Sequence, residues 1–273
     1  MIPTQGNKGR IISDIDENLL KSVLSFIKHN PDELLHIPYI CTALAAGRID
    51  NLKDGDIDIM EMDASEDLID KAVEHNLNGL KGKSTLVRPL LLATTLRNIS
   101  YIQARMKGMK VLTVGPRTES EIFMLTAAGF DPANIRGLDL MSYSPLIDVG
   151  DMHDMPYPDN SFDVVILGWV IAYSRNPIKA IREARRVAKA DAVFAVGCEY
   201  SPLTHDQLKA RGSILSDDVR HFEKLNDVLD LFEGDVGTVW FQDEIHPTMK
   251  QSAGSVVTVF QRKLPGDTEP VDP

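Results

Sequence analysis

From Lys110 onward the spacing of apolar residues changes, and that change most constrains the fold. Short apolar runs, "KVLTVG" (110–115), "NIRGLDL" (134–140), "SFDVVILGW" (161–169) and "DAVFAVGCEY" (191–200), read as strands. Between them lie helical stretches, "ESEIFMLTAAGF" (119–130) and "NPIKAIREARRVAKA" (176–190). Strand and helix in alternation predict a parallel α/β sheet, because each crossover helix covers a face of the sheet it spans. A further helix over about 218–233 then leads into "GTVWFQDEI" (237–245) and "SAGSVVTVFQRK" (252–263), two runs close enough to pair as an antiparallel hairpin.

The first hundred residues have a different character. Residues 16 to 29 place Leu19, Leu20, Val23, Leu24, Phe26 and Ile27 at helical spacing. Short helices broken at Pro31 and Pro38 follow, then "SEDLIDKAVEHNL" with Ser65 as an N-cap. A longer helix is expected from Thr85 or Pro89 to Met106. The expected organisation is a helical cap or lid over 1–107, an α/β domain over 108–264, and a disordered tail over 265–273, whose "PGDTEPVDP" has little to pack.

The formal charge of −11 gives no overall footprint for a phosphate backbone, so a nucleic-acid partner is not expected. No run approaches the roughly 20 apolar residues that cross a bilayer, and "MIPTQGNKGR" lacks the charged and apolar regions of a signal peptide. Cys41 and Cys198 are isolated and match no metal or redox spacing, which points to reduced thiols and a cytoplasmic location.

From about residue 108 to 263 the chain resembles the class I S-adenosylmethionine-dependent methyltransferases, most strongly from "RGLDL" through "GDMHDMPYPDNSFDVVILGWVIAYSRNPIKAIREARRVAK". The resemblance implies a Rossmann-like, mostly parallel sheet with an antiparallel last strand, preceded here by the helical N-terminal region. It also implies S-adenosylmethionine as cofactor. Gly115 matches the first glycine of the turn at the methionine end, Asp139 the acid that holds the ribose hydroxyls, and Asp151, with Met152 beside the ring, the residue at the adenine amino group. Taken alone, an aspartate that closes a strand is as readily a turn or cap residue.

Two departures stand out. The family turn reads acid-x-Gly-x-Gly-x-Gly, whereas here Thr113 stands for the acid, and Arg117 and Glu119 for the later glycines. Arg117 can pair with the carboxylate of the methionine zwitterion and Glu119 with its ammonium, or the two can point outward or pair with each other. Second, only "LMSYSPLIDVG" separates Asp139 from Asp151, too short for a strand plus a crossover helix. One sheet face is then under-covered, which the N-terminal helices or a second copy in a homodimer would remedy.

Methyl transfer needs an aligned acceptor and a group to take its proton. The loops after the fourth and fifth strands offer Trp169 and Tyr173 as an aromatic acceptor wall, with Glu199 beside them. His205 is the candidate base, with Tyr173 as a second catalytic candidate. His205 reads equally as an exposed loop histidine, Trp169 and Tyr173 equally as core, and His153 as packing beside the cofactor. The expected acceptor is a small molecule methylated at oxygen or nitrogen. Two competing readings remain: a non-catalytic relative that binds a nucleoside or a partner, and a nicotinamide enzyme, which predicts a GxGxxG turn the chain lacks. "GKS" (82–84) has no glycine at the spacing of a phosphate loop, the acids of 54–67 lack calcium-loop spacing, and the scattered histidines argue for no metal.

Overall fold

The computed structural model describes residues 17–53, 55–60, 77, 87–210, 222 and 224–264. The helix that Ser65 was expected to cap and the expected tail lie outside the described residues.

Seven strands form one sheet: β2 (Val111–Val114), β3 (Ile135–Asp139), β5 (Ile147–Val149), β6 (Phe162–Gly168), β7 (Ala188–Tyr200), β8 (Val239–Asp243) and β9 (Gly254–Gln261). Their order is β5-β3-β2-β6-β7-β9-β8. All the pairings from β5 to β7 are parallel, and β9 enters antiparallel between β7 and β8. The sheet grows outward in both directions from β2, so the crevice at the carboxyl ends of β2 and β6 is the switch point where α/β sheets hold ligands.

Alternation along the strands divides the core into two faces. Leu112, Val165, Leu167 and Phe194 face one layer, built from Ala180, Ile181, Ala184 and Val187 of α5 (Pro177–Val187) with Phe232 and Phe260. Val111, Val164, Ile166 and Val193 face the other, where Ile122 and Leu125 of α4 (Ser120–Ala128) pack with Leu92 and Leu96 of α3 (Val87–Asn98) and with Cys41. Cys41 belongs to α2 (Pro38–Asp50), which lies against α4. Buried on both faces, β6 is an unbroken apolar run from Val164 to Leu167.

Several local expectations need adjusting. Pro31 and Pro38 each occupy the first position of a helix, a 3-10 helix over Pro31–His36 and then α2, so they start helices instead of breaking them. The long helix expected to reach Met106 stops at Asn98, and a single turn over Ser100–Gln103 follows. Among the described residues, the helix expected over 218–233 is reduced to Leu225–Leu229 and a 3-10 turn.

No helix lies between β3 and β5. Instead β4 (Met141–Ser142) pairs antiparallel with β1 (Asp58–Ile59), tying this segment to the N-terminal region. α1 (Glu17–His29) leaves Leu20, Val23, Leu24 and Phe26 exposed. No described helix is long and apolar enough to cross a membrane.

Candidate functional site

The loop after β2 keeps the backbone of a glycine turn while having lost most of its glycines. Gly115 has φ +70°, and an added Cβ would lie 2.5 Å from Val170 Cγ2, so neither backbone nor space admits a side chain there. Arg117 also sits left-handed, at φ +53°, a conformation uncommon outside glycine. Its N–H donates to Asp139 Oδ2 at 3.0 Å, and this bond offsets the backbone strain.

Asp139 ends β3 and is buried. Burial pushes its carboxyl up, while the N–H groups of Arg117, Met141 and Leu140 and the Arg117 charge oppose that; the net direction is upward. Asp151 follows β5. Burial alone would raise its carboxyl as well, but hydrogen bonds from the ring and backbone of His153, together with Arg175, hold it well below the usual carboxylate range. His153 Nδ1 lies 2.5 Å from Asp151 Oδ1, and the Arg175 guanidinium donates to Oδ2 at 2.7 Å. On the far side of the ring, Nε2 is 2.7 Å from Ser174 Oγ.

An ionised carboxylate only accepts, so Nδ1 donates to Asp151, and in a neutral ring Nε2 accepts from the Ser174 hydroxyl. The order serine, histidine, aspartate is that of a hydrolytic relay. Ser174 is only 1% exposed, so a substrate has no path to its hydroxyl. The chain instead ties the loop after β5 to the loop after β6.

Glu119 is fully buried. Its Oε1 accepts from Ser144 Oγ at 2.5 Å, and Arg48, reaching in from α2, brings Nε within 2.6 Å of Oε2. The Arg48 contact is a charge contact without an aligned hydrogen bond. The Glu119 N–H donates to the Tyr143 hydroxyl at 3.2 Å, and burial pushes that phenol up to about 12. The next carboxyl, Glu121, receives a hydrogen bond from the Thr113 hydroxyl. Ser120 Oγ is buried with no hydrogen-bond partner.

On the acceptor side, Trp169 also has a left-handed backbone, φ +57°. Its ring lies flat on Gly197 of β7, 3.1 Å from where a Cβ would stand, and Nε1 donates to Ser255 Oγ at 3.1 Å. The Arg88 guanidinium of α3 lies 5.4 Å above this ring and pairs with Glu199 Oε2 at 3.0 Å. Tyr173 is near enough to feel Glu199, Arg88 and Arg117, and burial above all, then Glu199, raises its phenol.

Trp169, Tyr173 and Glu199 therefore converge, joined by Arg88. Gly115, Arg117, Glu119 and Asp139 share one loop and the strand end it leans on, while Asp151 and partly buried Met152 stand on the neighbouring strand end. His205 opens a short helix over His205–Ala210 just after β7, and its side chain lies outside the described residues. Arg48, Arg88, Glu121 and Arg175 were not singled out from sequence. Only Glu121 carried a local signal, the second acid of "ESE". No cluster of metal-ligating side chains occurs among the described residues.

A family model described as "Methyltransferase domain" matches residues 114–196. Among curated proteins, "Uncharacterized methyltransferase YcgJ" of Bacillus subtilis is 30% identical over 78 residues, 29% of this chain and 28% of that relative's length. Among solved structures, the Burkholderia thailandensis 1,6-didemethyltoxoflavin-N1-methyltransferase, with 1,6-didemethyltoxoflavin and S-adenosylhomocysteine bound, is 10% identical. It aligns over 76% of this chain and 94% of its own with a TM-score of 0.52. A putative methyltransferase in complex with the Haloferax volcanii Trm112 activator is 16% identical and covers 74% of this chain and 99% of its own at a TM-score of 0.49. With its strand order and inserted antiparallel β9, this chain carries the class I methyltransferase fold, and residues 114–196, which match the methyltransferase family model, open on a glycine-poor first turn.

Proposed function

We propose that the chain transfers a methyl group from S-adenosylmethionine to an oxygen or nitrogen of a small-molecule acceptor. The observation that carries this reading is convergence at one crevice. Asp139 and the loop 115–119, left-handed at Gly115 and Arg117, stand at the end of β2 and β3, and the acceptor wall of Trp169, Tyr173 and Glu199 stands beside them at the ends of β6 and β7.

The donor set fits such a cofactor at its amino-acid end. Beside the turn, Ser120 Oγ is buried without a hydrogen-bond partner, an arrangement disfavoured in a finished core and natural where a polar ligand docks. Asp139 supplies a buried acceptor for the ribose hydroxyls. At the adenine end, Asp151 is already engaged by His153 and by Arg175. The cofactor supplies a methyl group on a sulfonium. This chain aligns the acceptor: Trp169 and Tyr173 hold its flat or apolar part, while Arg88 and Glu199 bind its polar groups. The proton lost by the acceptor goes to His205 or to Tyr173; with its phenol raised, Tyr173 suits hydrogen bonding better than proton abstraction.

A second reading, a methyltransferase-like protein that binds without catalysis, is favoured by the contact of Val170 with Gly115 and by the engaged oxygens of Asp151. Isothermal titration with S-adenosylmethionine and S-adenosylhomocysteine, with nicotinamide dinucleotide as control, separates the two. Saturable binding of the sulfur nucleosides alone is expected. No binding by the folded protein would leave the non-catalytic reading.

A further inference from the structure

Position 113, at the carboxyl end of β2, is a threonine, fully buried, whose hydroxyl has one use: it donates to Glu121 Oε1. Glu121 comes from the first turn of α4 and is 7% exposed. Its other oxygen, Oε2, has no hydrogen-bond partner among the described residues. That oxygen lies by Gly168, the last residue of β6, at 3.5 Å from where a Cβ would stand, with Leu92 Cδ1 at 3.4 Å from the same point. The glycine leaves room there for a ligand atom.

Among the described residues, Thr113 alone donates a hydrogen bond to this carboxyl. Burial raises it to about 7, against the Thr113 hydrogen bond and with the help of Asp139. No cation of the protein pairs with it among the described residues, in contrast to Glu119, which has Arg48 and Ser144. Buried carboxylates retain their charge only when a cation or several donors reach them. The group that completes this site is therefore a cationic hydrogen-bond donor small enough to enter at the ends of β2 and β6, such as a primary ammonium.

We propose that Glu121, oriented by Thr113, binds the ammonium of the amino-acid end of the cofactor. This rests on the cofactor reading above and assigns to Glu121 the contact that sequence alone offered to Glu119. Thr113 is then a positioning residue: it fixes the carboxylate rotamer and leaves Oε2 free.

The test is calorimetry on the full chain with two probes. S-adenosylhomocysteine carries the amino-acid end; 5′-methylthioadenosine has the same nucleoside and sulfur without it. The wild-type protein is expected to bind both, and Glu121→Gln to weaken S-adenosylhomocysteine about tenfold or more, the worth of a charge-assisted hydrogen bond in a buried site, while leaving methylthioadenosine within about twofold. Thr113→Val is expected to reproduce a smaller part of the same selective loss. Should Glu121→Gln fold poorly, Glu121→Asp, which keeps the charge and withdraws it, is expected to show a loss confined to S-adenosylhomocysteine. Equal weakening of both probes, or of neither, overturns the role of Glu121 and leaves the cofactor reading intact. A wild-type protein that binds neither probe removes the cofactor reading and this assignment with it.

Discussion

Asp139, which ends β3, and Asp151, which follows the adjacent parallel strand β5, are both buried, yet their carboxyls shift in opposite directions. Desolvation is the largest influence on both. Backbone N–H groups at Asp139 only reduce it, whereas the His153 hydrogen bonds and the Arg175 guanidinium at Asp151 overcome it. The difference teaches that a strand-end acid is a position, and that its charge is set by which side chains the fold brings to it. Asp139 is held mainly by backbone N–H groups of the chain around it. Asp151 is already part of the scaffold, holding the loop after β5 to the loop after β6.

The sharpest way to break this comparison is Asp151→Ala. It strands His153 and Arg175 and is expected to destabilise the protein by about 3 kcal/mol in urea unfolding. Asp139→Asn, which still accepts from the Arg117 N–H, is expected to stay within about 1 kcal/mol of wild type. Similar losses at the two sites would erase the distinction drawn between them.

A second experiment extends the comparison to Glu121, whose carboxyl rises from 4.5 to about 7 with Asp139 contributing. A raised carboxyl makes the folded state bind more protons than the unfolded one, so stability falls as pH rises through about 4.5 to 7. Glu121→Gln abolishes that slope. From about pH 4 to about pH 8 the variant is expected to gain about 3 kcal/mol relative to wild type, read from paired denaturant titrations. A flat difference would mean that Glu121 finds a cation in solution.

The smallest effects concern the supplied cations. Arg175→Met is expected to remove about 1 kcal/mol, because its side chain is 34% exposed and water replaces part of the pair. Arg48→Met leaves Glu119 buried without its cation, and a loss of about 1 to 2 kcal/mol is expected. If Arg175→Met cost as much as Asp151→Ala, the hold on Asp151 would lie in Arg175 alone and not in the His153 hydrogen bonds.

Much of the sheet was legible in the chain. The runs around Leu112, Leu138, Val165 and Phe194 repeat at strand length between helical segments, and each became a strand because a local period decides which face a residue buries. The absent helix between Asp139 and Asp151 was readable from length alone. The long helix through Met106 was misjudged because nothing local announces the extended Ile99, φ −88° and ψ 117°, that breaks it. In the site, the positions of Gly115, Arg117, Asp139 and Asp151 could be read, but not their partners.

By itself the sequence determined alternating strands and helices for a mostly parallel sheet, a closing antiparallel hairpin, a turn poor in glycine after β2, and acids near the ends of β3 and β5. These follow from periodicity and short-range sterics, which act over a few residues. Only the tertiary structure decided that Arg48 pairs with Glu119, that Arg175 and His153 hold Asp151, and that Glu121 keeps an oxygen by Gly168 with no hydrogen-bond partner among the described residues. Those outcomes depend on which side chains arrive from distant elements, and Coulomb and hydrogen-bond interactions act on distance in space, for which separation along the chain gives no measure.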